Sequence, residues 1–152
     1  MNGFITLENG GNFSIRWTGY DEIIRIAIKE LSLLDNSNEL SVWLDAQVPN
    51  ENEEDRNSAP FYKENGEMIS RIIDVRGLTT ANRRLFWTAL ENGEEKLLRL
   101  GNVYSDLNPI VITDLMKMHL TIPDNIEIFE EDAEYIVTNN DIIKKIGPGW
   151  AN

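Results

Sequence analysis

Residues 4–34 read FITLENGGNFSIRWTGYDEIIRIAIKELSLL, and this stretch decides the fold. Its opening run, Phe4-Ile5-Thr6-Leu7, is short, apolar and bounded by Asn9-Gly10-Gly11, residues that accept the positive φ of a tight turn. Phe13, Ile15 and Trp17 then alternate with Ser14 and Arg16, the period of a half-buried strand. The first 17 residues therefore predict a β-hairpin. Beyond it the period changes. Ile24, Ala27, Leu31 and Leu34 recur at helical spacing with Ile23 and Ile28 beside them, which predicts a helix from Asp21 to Leu34 capped by Thr18 or Asp21. Ile24, Ile26 and Ile28 also alternate, so a strand is the rival reading over 22–34.

Working outward, Leu40, Val42, Leu44 and Ala46 alternate with Ser41, Trp43, Asp45 and Gln47 and predict another strand. The polar stretch from Pro49 to Pro60 reads as a mobile loop. Phe61-Tyr62, Asn65-Gly66 and the run from Met68 to Val75 predict a second hairpin, although Met68, Ile69, Ile72 and Ile73 would also line one face of a helix. The second half reads as helical. Thr80 caps a helix with Leu85, Phe86, Ala89 and Leu90 on one face and Gly93 at its end, followed by a short helix from Glu94 to Leu100. Asn108-Pro109 starts a helix carrying Ile112, Leu115, Met116 and His119. Tyr135, Ile136, Asn139, Ile142, Ile143 and Ile146 keep helical spacing, with a break expected near 138–140 and an end at Gly147-Pro148. Strands first and helices second predict an α+β fold: a single domain over 1–152 with an N-terminal antiparallel β-sheet, an accompanying helix and a mainly helical C-terminal half.

The 152 residues suffice for one hydrophobic core. With no cysteine, disulfides, zinc thiolates and cysteine nucleophiles are excluded. The N-terminus lacks the basic and apolar regions of a signal peptide, and no apolar run approaches the roughly 20 residues of a membrane span, so a cytoplasmic address is expected. The single histidine, His119, has no G-x-S-x-G or similar nucleophile motif to serve, so no catalytic residue is expected. Residues 35–39 resemble part of a calcium loop but lack its glycine and distal glutamate, and glycine-rich phosphate loops are absent; no metal or other cofactor is expected.

What the sequence does show is where its acid lies. The net charge is −12, which disfavours direct contact with nucleic acid or anionic membrane. Residues 35–55 hold seven carboxylates and no Lys or Arg; residues 124–141 hold seven more, again without a base. The rest of the chain has 12 acids and 14 bases, including a mildly basic island of Arg71, Arg76, Arg83 and Arg84 against Asp74. Two base-free blocks make a focused negative field if the fold brings them within about a Debye length of roughly 8 Å. The candidate partner-binding residues are Asp45, Glu51, Glu53, Glu54 and Asp55 in the first block, and Glu127, Glu130, Glu131, Asp132 and Glu134 in the second. Trp43, Phe61 and Tyr62 beside them are candidate anchors or core residues.

In size, acidity, small α+β architecture and lack of catalytic motifs, the chain resembles bacterial toxin-immunity proteins of the contact-dependent-inhibition and polymorphic-toxin type. The resemblance implies a cytoplasmic inhibitor, without enzymatic activity, that forms a tight complex with one cognate basic toxin, a nuclease among the candidates. A nucleic-acid mimic and an adaptor or assembly protein are the alternatives. Of these, the basic island counts against a uniformly acidic mimic.

Overall fold

The computed structural model describes residues 2–34, 38–48 and 71–123, together with two short strands at 135–136 and 144–145. The expected hairpin is present: β1 (Asn2–Thr6) pairs antiparallel with β2 (Asn12–Arg16). Its turn closes through the Gly10 N–H to the Leu7 carbonyl (2.9 Å) and the Leu7 N–H to the Gly11 carbonyl (2.8 Å). Gly10 sits at φ +83°, where a side chain would be strained. Ile5 and Leu7 point into the core, while Phe4 and Thr6 face outward at the same two-residue period.

The stretch after the hairpin is helical. The helix α1 (Trp17–Leu31) starts at Trp17, so Trp17 leaves the strand, and Thr18 and Asp21 lie inside the helix instead of capping it. Tyr20, Ile23, Ile24, Ala27 and Leu31 are fully buried on its inner face, a stripe with the 3.6-residue period that outweighs the alternation of Ile24, Ile26 and Ile28. Asp21 joins the inner side only because a buried arginine meets it.

The strand expected around Leu40–Gln47 is a helix, α2 (Asn38–Asp45). A strand would have buried Leu40, Val42 and Leu44 together. Instead Leu40, Trp43, Leu44 and Val48 are buried and Val42 is 51% exposed. Spacings of three, four and eight from Leu40 place the large Trp43 in the core, a gain in buried area that the alternating register forfeits.

The third strand, β3 (Ile72–Asp74), adds to the other side of β1 and runs parallel to it, with Phe4 opposite Ile72 and Ile5 opposite Ile73. The sheet is therefore mixed, in the order β2-β1-β3, where an antiparallel one was expected. A parallel pairing needs a long crossover, and the chain from Trp17 through α1 and α2 lies within it. The partner strand expected near Phe61-Tyr62 and the loop expected over 49–60 fall outside the described residues.

A single turn of 3-10 helix (Val75–Gly77) leads to α3 (Thr80–Leu100), whose first turn is capped by the Thr79 hydroxyl accepting the Asn82 N–H (3.2 Å). Thr79, one residue before the expected Thr80, is the cap. Gly93 does not end this helix, and no separate helix begins at Glu94; the element is continuous for 21 residues. Gly93 lies at the contact with α1, where an added Cβ would overlap the Ile26 side chain. Glycine was placed there by helix–helix contact, a cause that local sequence does not display. Gly93 meets Ile26 and Lys96 meets Glu30 across the contact between α1 and α3. Beyond α3, Tyr104, Ser105 and Leu107 reach Glu30, Glu22 and Gly19 of α1 in turn.

Asn108 caps α4 (Pro109–Leu120) by accepting the Ile110 N–H (3.2 Å), with Pro109 in the first turn as the sequence predicts. Ile112, Leu115 and Met116 are its buried face. The long helix expected over 135–146 is contradicted at both ends. Tyr135–Ile136 (β4) and Lys144–Lys145 (β5) pair antiparallel, Tyr135 opposite Lys145 and Ile136 opposite Lys144. The run Tyr135-Ile136-Val137-Thr138 is aromatic and β-branched, a composition that suits a strand as well as any helical spacing does. The architecture is α+β, with the sheet formed by the N-terminal strands and β3, and the helices dominating the second half. Among the described residues no helix is long and apolar enough to cross a membrane.

Candidate functional site

Of the ten acidic residues read as partner-binding, one is described. Asp45 is the last residue of α2 and is exposed. Glu51, Glu53, Glu54, Asp55, Glu127, Glu130, Glu131, Asp132 and Glu134 lie outside the described residues, as do Phe61 and Tyr62. Trp43, the remaining candidate anchor, is core: it is 1% exposed. α2 packs through Leu40, Trp43 and Leu44 and turns Val42 and Asp45 to the outside. Glu39 in its first turn suits the positive end of the helix dipole. Asp45 stands at the negative end, where a carboxylate costs about 0.3–1 kcal/mol, so helix stability does not account for it.

The charges of the other two long described segments balance in number, and the buried carboxylates among them are paired. Segments 2–34 and 71–123 together hold ten Asp or Glu and ten Lys or Arg. Arg71 is buried and makes a bidentate pair with Asp21 (2.9 and 3.1 Å) while its guanidinium lies over the Trp17 ring, 4.1 Å from its centroid. Its φ of +47° is unusual for a side chain other than glycine. The pairing and stacking, together with the Phe4 N–H donated to its carbonyl (3.0 Å), hold it in that conformation. Glu30, 2% exposed, accepts Lys96 Nζ (2.8 and 3.1 Å) and the Tyr104 hydroxyl (2.6 Å). Burial, and Glu30 beside it, push the Tyr104 phenol well above its ordinary value. Glu22 accepts from Arg25 (3.3 Å) and Ser105 (3.0 Å).

The basic island noted in the sequence disperses in three dimensions. Arg71 is inside; Arg76 is bound to Asp74 through Nε (2.9 Å) and Nη2 (2.6 Å); Arg83 donates to the Leu78 carbonyl (3.2 Å) and Thr80 (3.3 Å); Arg84 stands exposed. The basic excess between the acidic blocks is thus largely spent on structure.

One constellation is less fully satisfied. Glu8 lies in the β1–β2 turn, Trp87 on α3 and His119 near the end of α4. The Trp87 indole N–H donates to Glu8 Oε1 (2.5 Å), and the His119 ring stacks on Trp87 with centroids 3.9 Å apart and planes 12° apart. Nδ1 of His119 faces Glu8 Oε2 at 3.7 Å. Both of those atoms are buried and have no hydrogen-bond partner among the described residues. Burial raises the Glu8 carboxyl, but the imidazole, the residue's own backbone N–H and the indole outweigh it and hold the carboxyl below its ordinary value. The sequence singled out His119 because it is unique. Nothing in the sequence pointed to Glu8 or Trp87, since their meeting depends on the packing of three elements far apart along the chain. Among the described residues no group of three or more His, Cys, Asp or Glu is placed to hold a metal ion.

Comparison with family models, curated proteins and solved structures finds no match to this chain.

Proposed function

We propose that this protein is an immunity-type inhibitor that binds and neutralises a cognate basic toxin through an acidic surface built from residues 35–55 and 124–141, without catalysis of its own. The observation that supports the reading is the charge balance of the described body. Segments 2–34 and 71–123 carry equal numbers of acids and bases, and the buried members of that set are paired with one another. The acidic excess therefore belongs to the two base-free blocks, of which Glu39 and Asp45 on α2 are the described members. A cationic partner surface is attracted to such an acidic excess, which speeds encounter and discriminates against wrong partners.

The test is binding and protection in the native host. Affinity capture is expected to recover a basic toxin, with an association rate that falls steeply as salt rises. Changing Glu51, Glu53, Glu54 and Asp55 to lysine, together with Glu130, Glu131 and Asp132, is expected to abolish protection while leaving the fold intact. Protection that survives both sets of changes would remove the acidic blocks from the interface.

A further inference from the structure

We propose that Glu8, Trp87 and His119 form a protonation-sensitive latch that fastens the C-terminal end of α4 to the β1–β2 turn. The geometry carries this. Trp87 holds one oxygen of Glu8 by its indole N–H at 2.5 Å, so the carboxylate cannot swing toward the imidazole without giving up that bond. The other oxygen faces His119 Nδ1 across 3.7 Å. That separation suits two opposite charges and is too long for a neutral hydrogen bond. With the imidazole neutral, two buried polar atoms face each other unsatisfied, an arrangement that costs stability. With the imidazole protonated, Nδ1 carries a proton and a share of positive charge toward the carboxylate, and the same cation lies flat on an indole face. The contact is therefore stronger to imidazolium than to imidazole.

The surroundings leave the response to these groups. Among the described residues, Glu8 is the charged group that faces His119. From α3 the facing group is the uncharged Trp87. On α4 itself, Asp114 and Lys117 are exposed. Arg76 reaches the same turn at Gly10 but is bound to Asp74. Glu8 stays ionised through neutral and mildly acidic pH because its carboxyl is held low. The proton that closes the latch is therefore the one on the imidazole. The latch holds while the imidazole is protonated and Glu8 is ionised, and it loosens when either proton balance changes; Glu8 itself gives way only in strong acid, below the ordinary carboxylate range.

Urea unfolding of the full chain at about pH 5.5 and about pH 7.5 tests this, with amide exchange along α4 as the local readout. Glu8→Gln keeps an acceptor for the indole and removes the charge. It is expected to raise the unfolding equilibrium constant roughly three- to tenfold more at the lower pH than at the higher. His119→Phe keeps the stack and is expected to erase the difference in α4 protection factors, taken relative to the intrinsic exchange rate at each pH, that the parent shows. Two results would overturn the latch: an equal loss from Glu8→Gln at both pH values, or an unchanged pH dependence of α4 exchange in His119→Phe. If Glu8→Gln does not fold, the exchange comparison between the parent and His119→Phe decides alone.

Discussion

At Gly93 two residue-level effects oppose each other. Alanine in place of a mid-helix glycine gains about 1 kcal/mol of helix propensity. Here the new methyl would overlap Ile26 on α1, and Tyr104 and Glu30 stand close behind it. Overpacking of that kind costs about 1–3 kcal/mol, and the backbone of one or both helices must shift to relieve it. Gly93→Ala is therefore expected to destabilise the protein by up to about 2 kcal/mol in urea titration; a stabilised variant would show that α1 and α3 are not in close contact. The same position explains a failure of sequence reading. A glycine after an apolar face looks like a helix stop, and only the partner helix reveals that it is a contact point. Glu30 is a similar case. A glutamate on a helix between lysine and leucine reads as a solvated charge, yet it is buried because Lys96 and Tyr104, more than 60 residues on, supply its partners.

At the scale of elements, α2 shows where two periods compete. Residues 40–47 satisfy a two-residue alternation and also place Leu40, Trp43 and Leu44 on one helical face. The first pattern was the more conspicuous, and the second is the one that buries the tryptophan. The difference is measurable. On the helix, Val42 is exposed and β-branched, so Val42→Ala is expected to leave stability unchanged or raise it by up to about 0.5 kcal/mol. Leu44→Ala is expected to cost about 2–5 kcal/mol, because a fully buried leucine is removed. Equal losses at the two positions would restore the strand. Elements with strong end signals were legible from sequence. The Asn9-Gly10-Gly11 turn and the Asn108-Pro109 start sit where their local chemistry requires. β3 was legible as a strand but not in its direction, because parallel pairing with β1 is decided by how the intervening chain crosses over.

At the scale of the molecule, the charge distribution is the part of the candidate site that sequence counting exposes. Geometry adds that the buried carboxylates of the balanced segments, Asp21, Glu30 and Asp74, each meet a base. A net charge of −12 repels itself in the compact state, while the buried pairs Asp21–Arg71 and Glu30–Lys96 are poorly screened by salt. The melting temperature is therefore expected to rise as sodium chloride goes from about 0.02 M to about 0.3 M. A fall would mean that exposed attractive pairs outweigh the repulsion. The parallel pairing of β1 with β3 has a consequence for the order of assembly. Phe4 and Ile72 are 68 positions apart, whereas the hairpin joins residues at most 14 apart. Closing the larger loop carries the greater entropic cost and is repaid only after Arg71 has found Asp21 and Trp17. The hairpin and α1 can thus form while the chain is still emerging from the ribosome, and the sheet's third strand must wait until residue 74 has been made.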